Sequence, residues 1–143
     1  MNAMHARLTA LVAREAEPPP VVETLRLGLL DAWGPGWARK TWTPCKEVLN
    51  HDGSLFGGYL AALADQSLAF AAMSVLEEGE LFRTTNLAIQ FFRVGKPEPL
   101  EIEARVLTRS KRMISAECDF RRPDGELIAK ASAQFAVQSA TVR

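Results

Sequence analysis

A chain of 143 residues, 48% apolar and 24% charged, has the size of one domain with one core and is too apolar for wholesale disorder. Lys plus Arg and Asp plus Glu both number 17, and this absence of net charge argues against a general nucleic-acid binder. The two cysteines, Cys45 and Cys118, lie far apart without metal-ligand spacing, so free thiols in a reducing cytoplasm and no metal site are expected.

Residues 1–16 carry helical spacing through Met4, Leu8, Leu11 and Val12, and stop before Pro18-Pro19-Pro20, where ring clash and lost donors end a helix. Residues 1–20 are therefore expected as an N-terminal helix or arm, with His5 solvated on it, and 21–143 as a single domain. No apolar run approaches membrane-spanning length and the N-terminus lacks a secretory h-region, so neither a membrane partner nor export is expected. Leu25, Leu27 and Leu29 alternate within residues 24–33 as in a strand. Gly34-Pro35-Gly36 then turns the chain into a second strand over 37–43. Trp37 and Trp42 are read as packing groups, because no basic, aromatic-interleaved surface accompanies them.

Residues 50–75 form the stretch around which the chain is organised. Turn-forming residues narrow to Gly57-Gly58 and run into an alanine- and leucine-rich helix. Leu60, Leu63, Ala64, Leu68, Ala71, Ala72 and Val75 mark its buried face. Glycine allows close approach of the backbone, and the first amides of a helix lack partners within it, so such an end suits an oxygen that becomes negative during a reaction. Asp65 borders the buried face. One and two turns away lie Gly58, Ala61, Ala69 and Ala72, none able to pair with its charge. A solvated aspartate on a helix edge is the common case. The glycine pair two turns earlier points instead to a site.

Beyond a break at Glu77–Glu80, residues 84–93 alternate through Leu87, Ile89 and Phe91. Leu100, Ile102, Ala104 and Val106 alternate with Glu101, Glu103 and Arg105, giving one buried and one wet face. Ile114, Ala116, Cys118 and Phe120 form the next buried face. After the tight turn Pro123-Asp124-Gly125, residues 127–137 alternate inward, and their alanines leave room for a helix to lie close. The order of helix, two strands, long helix and four strands implies an α+β fold, an antiparallel sheet curled around one central helix. Its edges call for a partner subunit.

The pattern Asn50-x-x-Gly53-x-x-x-Gly57-Gly58, with Asp65 eight residues after Gly57, resembles the hotdog-fold acyl-CoA thioesterases of the phenylacetate-degradation type. The strand over 84–93 and the hairpin Asp124-Gly125-Glu126-Leu127-Ile128-Ala129 are similar to that family's as well. The resemblance spans roughly residues 20–138 and implies roles. Asp65 would be the catalytic carboxylate, as base or nucleophile, and the Gly57 amide would donate to the thioester oxygen. Asn50 would position water or the thioester, and Thr84 would orient the carboxylate. Phe56 and Gly58 would border the substrate. The site would span a dimer interface in a homodimer or homotetramer, with acyl-CoA as substrate and no cofactor. The family's usual His-Gly-Gly reads Phe56-Gly57-Gly58 here, which replaces an imidazole by a ring without its hydrogen bonds and leaves the backbone donor in place. His51 is read as a solvated or structural loop residue.

Arg109, Lys111 and Arg112, with Arg93 and Lys96, are either holders of coenzyme A phosphates or a solvated turn. Cys118 alternates inward and is not a nucleophile candidate. Besides the thioesterase reading, the sequence admits a hotdog protein that binds acyl-CoA or a lipid-like ligand without cleaving it, which Phe56 favours and Asp65 with Asn50 opposes. A hydratase lacks the Asp and His spacing its dyad would need.

Overall fold

The computed structural model describes residues 2–139. The chain opens with helix α1 (Ala3–Val12), whose end is capped by the Asn2 side chain accepting from the His5 amide at 2.9 Å. Leu8 and Leu11 carry α1 into the common core. His5 is not solvated as expected. Its Nε2 lies 2.8 Å from the Ser74 carbonyl and its ring packs against Trp33.

The expected strand over 24–33 is mostly absent. Pro20 opens a short helix α2 (Pro20–Thr24), because proline suits the first helical position, where no internal amide bond is needed. Arg26 and Gly28 then adopt left-handed φ values of 55° and 71°, which no strand tolerates. Only Ala32–Gly34 (β1) pairs with β2 (Trp37–Trp42), across the anticipated Gly-Pro-Gly turn. The long helix α3 (Gly57–Met73) follows, ending before Val75. Strands β3 (Glu80–Phe91), β4 (Leu100–Arg109), β5 (Met113–Arg121) and β6 (Leu127–Ser139) complete the fold. The third strand therefore starts four residues earlier than the alternation of Leu87, Ile89 and Phe91 suggested.

All pairings are antiparallel, in the order β1-β2-β4-β5-β6-β3. α3 packs against every strand of this sheet. Leu60, Leu63, Ala64, Leu68 and Ala71 are buried on the helix, as are Ile102, Ile114, Cys118, Phe120 and Phe135 on the sheet. Each large side chain so buried contributes about 1.5–3 kcal/mol. Ala129, Ala131 and Ala133 on β6 are also buried, consistent with small residues admitting the helix closely. On the opposite face Arg105, Glu117, Asp119 and Lys130 form a charged network across β4, β5 and β6.

One irregularity shapes β3. Its register against β6 shifts between Thr84 and Asn86, so Thr85 is the extra residue of a bulge. Before it Phe82 and Thr84 sit opposite Val137 and Phe135; after it Leu87, Ile89 and Phe91 sit opposite Ala133, Ala131 and Ala129. All five face the helix side of the sheet. Among the described residues the outer edge of β3 pairs with nothing, and Leu81, Leu87 and Phe91 along it are exposed.

Candidate active site

Two groups of residues predicted from the sequence are assembled, at separate points along α3. The first surrounds the helix start. Phe56 is the cap residue, with extended backbone (φ −68°, ψ 122°), and no side chain caps the helix. Gly57 and Gly58 thus present the first amides of a seventeen-residue helix. Both glycines lie against aromatic rings. A Cβ on Gly58 would stand 2.6 Å from the Phe56 ring, and one on Gly57 would stand 3.1 Å from the Phe91 ring. Asn50 lies in the preceding turn, where its side-chain amide donates to Ser54 Oγ at 3.0 Å and to the Leu55 carbonyl at 3.1 Å. Asp52 accepts from the Ser54 amide and hydroxyl, which hold its carboxyl below the usual range. His51 is exposed.

The second group contains the acid. Asp65 is half-buried, and the Thr84 hydroxyl donates to its Oδ1 at 3.0 Å. The bulge at Thr85 leaves Thr84 on the helix side of the sheet, in reach of that carboxylate. Asp65 and Thr84 border a cavity of about 300 Å³, with α2 on one side and α3 on the other. Ala62, Asp65, Gln66, Ala69, Phe70 and Met73 form the α3 wall, a helical stripe at spacings of three and four. Eight residues along a helix amount to about 12 Å, so Gly57 and Asp65 of one chain cannot both reach one carbonyl group.

Sequence reasoning missed Lys40. It lies on β2 in phase with buried Ala38 and Trp42, and is itself only 2% exposed. Its Nζ donates to the Leu27 carbonyl at 2.6 Å and to the side-chain oxygen of Gln66, the neighbour of Asp65. Burial pushes this ammonium down to about 8, with Asp31 partly opposing the shift. The strand alternation of Ala38, Lys40 and Trp42 was the available signal. Gln66 donates in turn to the Gly28 carbonyl at 2.7 Å, and Tyr59 shares its one hydroxyl proton between the carbonyls of Leu25 and Arg26.

The basic residues divide. Arg109 grips Glu80 with bonds of 2.7 and 2.8 Å and holds that carboxyl below its usual range, and Arg93 pairs with Glu126. Lys111 and Arg112 line a separate cavity beside Glu80 and Gln138, and Lys96 is exposed. Cys118 is fully buried, and burial pushes its thiol up to about 12, so it is no nucleophile at neutral pH. Among the described residues no helix is long and apolar enough to cross a membrane, and no three His, Cys, Asp or Glu residues cluster as metal ligands would.

An antiparallel sheet curled over one long helix is the hotdog fold. Residues 52–129 match the thioesterase superfamily; the chain belongs to it and is a thioester hydrolase. Among solved structures it is similar to a phenylacetic acid degradation-related protein of Ralstonia eutropha, at 27% identity over 90% of this chain and 98% of that one, with a TM-score of 0.80. A conserved protein of Pseudomonas aeruginosa is 26% identical over 88% and 99% of the two chains, with a TM-score of 0.77. A hypothetical thioesterase of Streptococcus pneumoniae, solved with coenzyme A, is 22% identical over 77% and 84%, with a TM-score of 0.71, and shares the fold. No curated protein sequence matches the chain.

Proposed function

We propose that this chain hydrolyses acyl-coenzyme A thioesters, with Asp65 as the catalytic carboxylate. The observation that carries this reading is the 3.0 Å hydrogen bond from Thr84 to Asp65 at the edge of an apolar cavity. Thr84 occupies one oxygen and orients the carboxylate, leaving the other free. That oxygen acts as base toward a water, taking its proton while the water oxygen attacks the thioester carbonyl, or itself attacks the carbonyl as nucleophile. In either case negative charge develops on the carbonyl oxygen, and the Gly57 amide at the start of α3 is suited to receive it. Collapse of the tetrahedral intermediate breaks the carbon–sulfur bond: in the base route the leaving coenzyme A thiolate takes up the proton held by Asp65, and in the nucleophile route it leaves a mixed anhydride on Asp65 that water then hydrolyses to the free acid.

Because Gly57 and Asp65 stand about 12 Å apart on one helix, the amide and the acid at one carbonyl come from two copies of the chain. The unpaired β3 edge, with Leu81, Leu87 and Phe91 exposed along it, is the surface that favours such a dimer. Asn50, bound within its own turn, holds the loop that leads into the Gly57 amide. Phe56 and Gly58, at the same end, border the thioester. The neighbours from Streptococcus pneumoniae and Streptococcus mutans, solved with coenzyme A and acetyl coenzyme A, support coenzyme A as the carrier. Thiol release from a panel of acyl-coenzyme A thioesters tests the reading. Release from one or more of them is expected; none from any would overturn it.

A further inference from the structure

We infer that the cavity between α2 and α3 receives the acyl group, and that Val21 and Leu25 set the size of acyl group accepted. This rests on the reading of Asp65 as the catalytic carboxylate.

The cavity is the one that Asp65 and Thr84 border, so a carbonyl brought to that carboxylate carries its acyl substituent to the mouth of the cavity. What it meets there is mostly apolar, although Arg7 of α1 and Gln66 also line the cavity. Ala62, Ala69, Phe70 and Met73 line the α3 side, and Val21 with Leu25 lines the other. Val21 is 50% exposed and Leu25 39%, large apolar groups left open to solvent on a segment with polar choices available. An acyl chain laid against them would cover both.

The α2 wall is also held in place, as a size filter must be. Residues 25–28 form no regular structure, yet each carbonyl accepts from a side chain elsewhere in the fold. Tyr59 shares its one hydroxyl proton between those of Leu25 and Arg26, the Arg26 contact being 2.8 Å, Lys40 donates to that of Leu27 at 2.6 Å, and Gln66 to that of Gly28 at 2.7 Å. Two of these donors, Tyr59 and Gln66, sit on α3, and Gln66 itself lines the cavity, so the segment that follows α2 is tied to the helix that forms the opposite wall. At about 300 Å³ it has roughly twice the volume of a dry protein cavity that admits benzene. The class of substrate that fits is a thioester of an apolar acid of one-ring size, or of a medium-length aliphatic chain.

The test is kcat/KM over straight-chain acyl-coenzyme A thioesters from acetyl to palmitoyl, for the parent, Leu25→Trp, and the double variant Val21→Ala with Leu25→Ala. Both positions are partly exposed, and melting curves verify that the variants fold. The parent is expected to prefer medium chains. Leu25→Trp should lower the ratio of octanoyl to acetyl kcat/KM by roughly 10-fold or more, since one methylene in an apolar pocket is worth that order of discrimination. The double alanine variant should move the optimum toward longer chains. An active parent whose variants change all chain lengths by one common factor overturns the inference and leaves the role of Asp65 standing. A parent inert on every thioester overturns both.

Discussion

Lys40 donates, from a position almost wholly removed from water, to the side chain of Gln66, the residue beside Asp65 in the central helix. A buried ammonium is tolerated here because it also meets the Leu27 carbonyl at 2.6 Å, so its charge is bonded although no carboxylate among the described residues pairs with it.

This bond has a pH signature. Folding lowers the Lys40 pKa from 10.5 to about 8, so between these values the folded chain holds fewer protons than the unfolded one and stability rises with pH. The full shift corresponds to a term on the order of 3 kcal/mol. Cys118 acts oppositely. Its thiol is raised from 9.0 to about 12, so the folded chain keeps a proton the unfolded chain has lost, and stability falls across that interval. The expected result is a gain in the urea midpoint between about pH 7.5 and pH 9, followed by a plateau and decline. Lys40→Met should remove the gain and cost about 1–3 kcal/mol, because the Leu27 carbonyl and Gln66 oxygen lose their donor. A midpoint in the parent that falls steadily from pH 7.5 would contradict the assignment.

Asp65→Asn should reduce thioester hydrolysis by about 100- to 10,000-fold, the usual worth of a positioned base. Asparagine keeps the shape of the side chain and can still accept from Thr84, so the melting temperature should move little. Thr84→Val, which removes the 3.0 Å bond and keeps the side-chain volume, should lower kcat more than it raises KM. Steady-state kinetics and calorimetry on the same preparations separate these effects from unfolding.

Gly57→Pro removes the amide donor without breaking the helix. Proline is favoured at the first helical position, and Phe56, with φ −68° and ψ 122°, already has the backbone a residue before proline requires. The new ring must displace Phe91, which stands 3.1 Å from the Cβ position but is exposed and free to turn. Loss of one such donor should cost about 100- to 1,000-fold in kcat. Mixing inactive Gly57→Pro with inactive Asp65→Asn, under conditions that exchange subunits, should restore about a quarter of parental activity by random assortment into two-fold dimers. A mixture that exchanges subunits and stays inactive would show that the two groups do not serve one shared site.

Gly95→Ala should destabilise the fold by roughly 1–3 kcal/mol. Its Cβ would fall 2.8–3.1 Å from the Cδ1, Cβ and Cγ of Leu55, which is buried and bonded through its amide to the Gly95 carbonyl at 2.9 Å. Leu55 immediately precedes the cap of α3, so the same change should lower activity. Thermal melts and kcat measured together provide the check.

The central helix, the four strands after it and their inward faces were legible because alternation and helical periodicity are strong wherever one face is buried. Ile114, Ala116, Cys118 and Phe120 are all buried as their spacing implied. The segment 24–33 was not legible. Its leucines imitate a strand, while Pro20 starts a helix and Arg26 and Gly28 turn left-handed, and backbone conformation of that kind leaves little trace in hydrophobic pattern. Lys40 was hidden by the ordinary preference of lysine for solvent, which its neighbours in the strand overrode. His5 was misjudged for a similar reason, since its partner, the Ser74 carbonyl, is 69 residues away. The basic turn could not be divided by sequence. That Arg109 answers Glu80, and Arg93 answers Glu126, depends on which strand ends meet.

The extra residue at Thr85 gives β3 a change of side-chain phase partway along its length. Upstream, even-numbered residues look toward the helix, and Thr84 is the last of them; downstream, odd-numbered residues do, and Phe91 is the one that closes on Gly57. A regular strand could have put Thr84 or Phe91 on that side, but not both. One dislocation in the ladder therefore lets a single strand attend to the acid at the middle of α3 and to the glycine amide at its start. Were Thr85 paired in a regular ladder instead of bulged, Leu87, Ile89 and Phe91 would turn outward together, whereas deleting it would leave them and Thr84 on the helix side.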